Sequence, residues 1–177
     1  MKLPRRFLTV VLAIVAGLLL LAGCGGGGGG GKELGLDEYF QQFDAIEESM
    51  KTNISALEAE ESQGVVGEDV EATRHYVDGY RGVVAQGLND VKALKPPAET
   101  RDAQDKFVAA LSSMISLWDD LRDQLAGVGT ASEMQELLTA VQSKASWLDA
   151  SQQFTDACRE LQGIATDNGI DVTLDCE

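Results

Sequence analysis

Between residues 35 and 177 the apolar positions recur at steps of three and four, the spacing that lines one face of a helix. Four helical segments are predicted. The first, about Leu36 to Ser62, carries Leu36, Tyr39, Phe40, Phe43, Ile46, Met50, Ile54 and Leu57 on one stripe, with Glu47, Glu48, Lys51, Glu58 and Glu61 on its other faces. The stretch Gln63-Gly64-Val65-Val66-Gly67 interrupts it. The second, about Glu68 to Leu94, alternates steps of three and four through Val70, Thr73, Val77, Tyr80, Val84, Gly87, Val91 and Leu94. That is a heptad seam, as in bundles whose helices cross at about 20°. It stops at Lys95-Pro96-Pro97, because proline lacks a backbone donor and keeps the preceding residue out of helical angles.

The third segment is expected to begin near Pro97, with Glu99 beside the positive end of the helix dipole. Its stripe is Phe107, Leu111, Met114, Leu117, Trp118, Leu121 and Leu125, and Gly127-Val128-Gly129 ends it. The fourth opens on Thr130-Ala131-Ser132-Glu133, the spacing of a capping box. It runs through Met134, Leu138, Val141, Ala145 and Leu148, then out of phase through Trp147, Phe154, Leu161 and Ile164, so a bend is expected near Ser146 to Ser151. Asn168-Gly169 should terminate it, since glycine accepts the left-handed conformation at a helix end. Short connections favour antiparallel neighbours. The expected fold is therefore all-α, an up-down-up-down four-helix bundle of residues 35–177 with a short extended C-terminal tail.

Ahead of this domain the pattern changes. Lys2, Arg5 and Arg6 precede an apolar run from Phe7 to about Leu21, which is short for a membrane span and has the layout of an export signal. It ends in Leu21-Ala22-Gly23-Cys24, which resembles the lipobox of bacterial lipoproteins. The resemblance covers residues 1–24 only. It implies cleavage of residues 1–23, a diacylglycerol on the Cys24 thiol and acylation of the freed amine, and two or more acyl chains hold a protein stably on a membrane. Residues 24–34 would then be the lipidated cysteine and a tether, whose Gly25 to Gly31 have no side chain to bury.

Three cysteines less Cys24 leave Cys158 and Cys176, a pair suited to an oxidising compartment. Ile170, Val172 and Leu174 alternate with Asp171, Thr173 and Asp175, so the tail after Gly169 can lie on the bundle as a ribbon and return Cys176 to Cys158. Charge narrows the partners. Removing Lys2, Arg5 and Arg6 from the 14 basic residues leaves 11 against 29 acidic ones, a formal charge of −18, which repels nucleic acid and anionic headgroups.

Candidate chemistry is sparse. Dimetal bundle enzymes need a Glu-x-x-His pair on each of two helices, whereas His75 is the sole histidine and Ala72 occupies the position three residues before it. A weak surface cation site from His75, Glu71 and Asp78 is the most that this face offers, and a solvated charged face is the plainer reading. One imidazole and two oxidised cysteines leave no nucleophilic triad. Asp119 and Asp123, with Arg122 between them, read as an ordinary charged face.

Two features allow more. Gly79, Gly82 and Gly87 weaken the second helix, Gly87 for close approach of a neighbour and Gly82 either for nothing or for a shallow groove. Tyr80, Trp118, Trp147 and Phe154 are core aromatics or the lining of a pocket. The expected function is non-catalytic: a binding or interaction module, lipid-anchored in the cell envelope on the extracytoplasmic side, with no cofactor. Its expected partners are the membrane, through Cys24, and an envelope protein. A small-ligand or cation-binding lipoprotein is the alternative.

Overall fold

The computed structural model of the chain describes residues 33–61 and 69–176. Cys24, the glycine run and the interruption expected at 63–67 lie outside the described residues. The described residues form an all-α domain of five helices: α1 Leu36–Glu61, α2 Val70–Ala93, α3 Arg101–Leu125, α4 Ala131–Gln142 and α5 Ala145–Asp167. No helix among the described residues is long and apolar enough to cross a membrane.

Local chemistry sets the helix ends. Asp69 caps α2, its carboxylate accepting from the N–H groups of Glu71 at 2.8 Å and Ala72 at 2.9 Å. The Thr130–Glu133 capping box forms at the start of α4. Gly169, with φ at 69°, lies just beyond the end of α5, in the left-handed region open to a residue without a Cβ. The start of α3 differs from expectation. The Pro97 carbonyl is used in a tight turn, accepting from the Thr100 N–H at 3.0 Å and the Thr100 hydroxyl at 3.2 Å. The helical ladder therefore begins at Arg101, and Glu99 stays outside it.

The expected fourth helix is two helices, separated at Ser143-Lys144. A continuous helix carrying Met134 and Val141 inward would also turn Leu148 inward, while Trp147 and Phe154 would fall out of phase. The backbone instead leaves the helix at Lys144, with ψ of 130°, and α5 restarts with a new phase. Met134 and Val141 remain buried, Ala150, Ala157 and Leu161 are buried on α5, and Leu148 is 62% exposed. The break thus falls just ahead of the expected interval and takes Ala145 and Leu148 out of the core.

Sequential long helices meet in opposite directions. Leu57 lies against Gly79 and Met50 against Gly87 between α1 and α2. Gln104 donates to the Val91 carbonyl at 3.1 Å, and Arg81 meets Asp119, between α2 and α3. Lys106 reaches Glu160 at 2.7 Å, and Trp118 meets Trp147, between α3 and α5. The core has two parts. The larger includes Tyr39, Phe40, Phe43, Val91, Phe107, Leu161 and Leu174, and the smaller is Val77, Leu121, Leu125, Met134 and Val141.

The Cys158–Cys176 disulfide is present, its Cα atoms 5.4 Å apart. Its closed loop stabilises the fold by about 3 kcal/mol on chain-entropy grounds. Gln162 holds the same tail, donating to the Val172 carbonyl at 3.1 Å and accepting from the Leu174 N–H at 2.7 Å. Ile170, Val172 and Leu174 pack on the core while Asp171, Thr173 and Asp175 are exposed, as their alternation implies.

Candidate functional site

The stripe of α1 is buried unevenly. Tyr39, Phe40 and Phe43 are almost wholly inaccessible, whereas Ile46, Met50 and Ile54 are half-buried. These later positions, spaced along one face, line a cleft of about 560 Å³ between α1 and α5. Its inner wall comes from Tyr80, Val84 and Val91 of α2 with Phe107, Leu111 and Met114 of α3, and its far wall from Ser151, Phe154 and Thr155 of α5. Phe107 joins the sides, its ring centroid 5.0 Å from that of Phe43 and 5.1 Å from that of Phe154. A mostly apolar cleft of several hundred cubic ångströms with a few polar groups is the usual form of a small-molecule site.

The polar groups stand along the mouth, where Glu47 and Lys51 of α1 meet Asp175 of the tail and Glu58 lies about three turns further along α1, near Tyr80. The Asp175 N–H donates to Glu47 Oε1 at 2.6 Å, and Lys51 Nζ lies 3.4 Å from the Asp175 carboxylate. Burial pushes the Glu47 carboxyl up to about 7, helped by the Asp175 and Asp44 carboxylates and opposed by the Asp175 N–H and the Lys51 ammonium. Burial also raises the Tyr80 phenol, with the Glu58 carboxylate adding to the shift. A second, more polar hollow of about 380 Å³ lies beside the Glu47–Asp175 contact and includes Glu48, Arg159 and Thr173.

The residues singled out from sequence are placed as follows. Tyr80 and Phe154 line the cleft. Trp118 and Trp147 do not; they pack edge to face at 5.1 Å, and the Tyr80 ring lies 4.6 Å from that of Trp118, tilted by 37°. Gly87 and Gly79 admit α1 side chains, a Cβ on Gly79 falling 2.7 Å from Leu57 Cδ2, whereas Gly82 meets nothing within 4 Å and is outside the cleft.

The His75, Glu71 and Asp78 candidate is not assembled, and among the described residues no three His, Cys, Asp or Glu side chains converge as a metal site. Glu71 instead pairs with Arg74, whose guanidinium also donates to the carbonyls of Leu125 at 2.9 Å and Val128 at 2.7 Å. That places a cation on the negative end of α3. Nor are Asp119 and Asp123 equivalent. Asp123 pairs locally with Arg122, while Asp119 receives two hydrogen bonds from Arg81 across to α2, at 3.1 and 3.3 Å, which hold its carboxyl below the usual range.

Sequence reading missed Glu47 by assigning it to the outer face of the first helix. It stands four residues after Phe43 and three before Met50, so it borders the stripe, and that adjacency was the available signal. His75 is not among the residues lining the cleft, and the serine and threonine hydroxyls there have no imidazole to activate them. The arrangement can hold an apolar molecule and meet a polar end of it at Glu47. Comparison with protein-family models, with curated proteins and with solved structures finds no match for this chain.

Proposed function

We propose that this chain is a lipoprotein of the bacterial cell envelope, anchored by lipid on Cys24, whose helical domain is a non-catalytic module that binds small, largely apolar ligands outside the cytoplasm. The cleft between α1 and α5 carries the binding part of this reading, because its volume and lining suit a small molecule. It favours ligand binding over docking of an envelope protein. The anchor rests on the ordered basic, apolar and lipobox zones of residues 1–24, and the Cys158–Cys176 bond fits export to an oxidising compartment. In this reading α1, α2, α3 and α5 are the four members of an antiparallel bundle, with α4 as a short insertion and the α1–α5 side left open.

Mass spectrometry of the protein purified from envelopes should find a lipid-modified Cys24 at the N-terminus. An uncut Met1 with an unmodified thiol overturns the anchor. For the cleft, a thermal-shift series with small apolar compounds should raise the melting temperature. A flat response to every compound removes ligand binding and returns the interaction module as the better reading.

A further inference from the structure

We propose that the cleft takes an organic cation: an apolar body seated between Ile46, Met50, Ile54 and Phe154, with its charged end at the Glu47 carboxylate. This rests on the cleft being a ligand site and adds the class of ligand.

The charge at the mouth is unbalanced. Among the described residues Lys51 is the one basic side chain lining the cleft, against Glu47, Glu58 and Asp175. Its ammonium is engaged by Asp175 at 3.4 Å and lies 4.0 Å from Glu48. Glu58 has no basic partner among the described residues. Glu47 receives the Asp175 N–H on one oxygen, and a carboxylate has further lone pairs to offer a donor. A ligand cation at Glu47 would meet its carboxylate, with that of Asp175 close by, across an apolar, partly desolvated surface, where charge-assisted hydrogen bonds are strong.

The same charges disfavour other occupants. A second copy of a chain with formal charge −15 brings like charge to an acidic mouth, and so does an anionic amphiphile. A neutral apolar body satisfies the walls and leaves Glu47 and Glu58 unmatched.

Binding should be linked to protons. The groups facing Glu47 are Asp44 and Lys51 on its own helix and Asp175 in the tail, with Arg159 of α5 in the adjoining hollow. Burial pushes its carboxyl up to about 7. A cation beside it favours the ionised form, so binding expels a proton, and affinity grows as pH rises through about 7.

Three probes with the same ring body separate the possibilities in calorimetry on the mature full-length protein: 1-naphthylmethylammonium, 1-naphthylmethanol and 1-naphthoate. The ammonium should bind about tenfold more tightly than the alcohol, and naphthoate should bind most weakly. Between pH 6 and 8 the ammonium should gain up to about tenfold, with net proton release seen on comparing buffers of different ionisation enthalpy. Glu47→Gln retains an acceptor for the Asp175 N–H and should bring the ammonium down to the alcohol's affinity. No binding of any probe overturns the cleft as a ligand site. Equal affinities, or preference for naphthoate, overturn the cation alone and leave the cleft standing. The probe comparison on unmodified protein decides this even if the variant folds poorly. An ammonium preference that survives Glu47→Gln overturns the assignment of Glu47.

Discussion

Two seams run along α5 and are built in opposite ways. Toward α3 the helices close up. Ala103 and Ala110 on α3 and Ala150, Ala157 and Ala165 on α5 are buried, and short side chains let helix axes approach. Toward α1 the helices stay apart, and Phe43, Ile46, Met50 and Ile54 project into a space that Phe107 and Phe154 only partly fill. A closed apolar seam contributes stability, because every methylene there is removed from water and touched on all sides. An open one contributes little stability and retains the capacity to bind.

The contrast breaks most visibly on truncation. Leu161 is wholly buried, so Leu161→Ala should cost about 3 kcal/mol by transfer and cavity terms together. Ile54, half-buried at the cleft, should cost under about 1 kcal/mol when cut to alanine, since little packing is lost and water already reaches it. Urea unfolding of both variants measures the difference. Equal losses would show that the cleft is as well packed as the closed seam.

Glu47 sharpens the comparison through pH. In the unfolded chain its carboxyl titrates near the ordinary 4.5, and in the fold near 7, so the folded protein holds the proton more tightly. Its stabilising contribution is complete below about 4.5 and is lost as pH rises to about 7. The full shift corresponds to about 3 kcal/mol, and because solvent still reaches Glu47 and screens it, the unmodified protein should lose on the order of 2 kcal/mol relative to Glu47→Gln across that interval and nothing further above it. Urea midpoints of both proteins from pH 4.5 to 8 report the gap. A constant gap removes Glu47 from the buried side of the cleft mouth.

The closed parts were legible in the sequence and the open part was not. The second-helix seam from Val70 to Leu94 is buried or half-buried at every expected position, because a heptad repeat commits one face to a neighbour. The capping box, the Gly169 terminus and the tail with its disulfide are likewise local signals with one physical outcome. The split of the fourth segment was visible as a phase change, but a phase change is compatible with either a bend or a clean break, and tertiary packing chose the break at Ser143-Lys144. The cleft left no such mark. Ile46, Met50 and Ile54 continue the same stripe as Phe40 and Phe43, and nothing in that periodicity says whether the facing helix comes close. Arg81 and Arg74 were missed for the same reason, since each acts on a helix distant in sequence.

The smallest effects test how closely α1 is seated on α2, and therefore what fixes the near wall of the cleft. Gly87 and Gly82 lie in the same helix with the same intrinsic penalty, up to about 1 kcal/mol relative to alanine. Their surroundings differ. A Cβ on Gly87 collides with the Met50 side chain, itself a lining residue, while one on Gly82 meets nothing within 4 Å. Gly82→Ala should therefore raise stability by about 0.5 to 1 kcal/mol through propensity alone. Gly87→Ala forfeits that gain by displacing Met50, and should be neutral to about 1 kcal/mol destabilising. Because Met50 must move toward the cleft or away from α2, Gly87→Ala should also shift probe affinity, whereas Gly82→Ala should leave it alone. Paired thermal melts and probe titrations read both. If the two alanines stabilise alike, α1 is not held against α2 at Gly87, and the opening of the cleft is set by the tail contact at Glu47 instead.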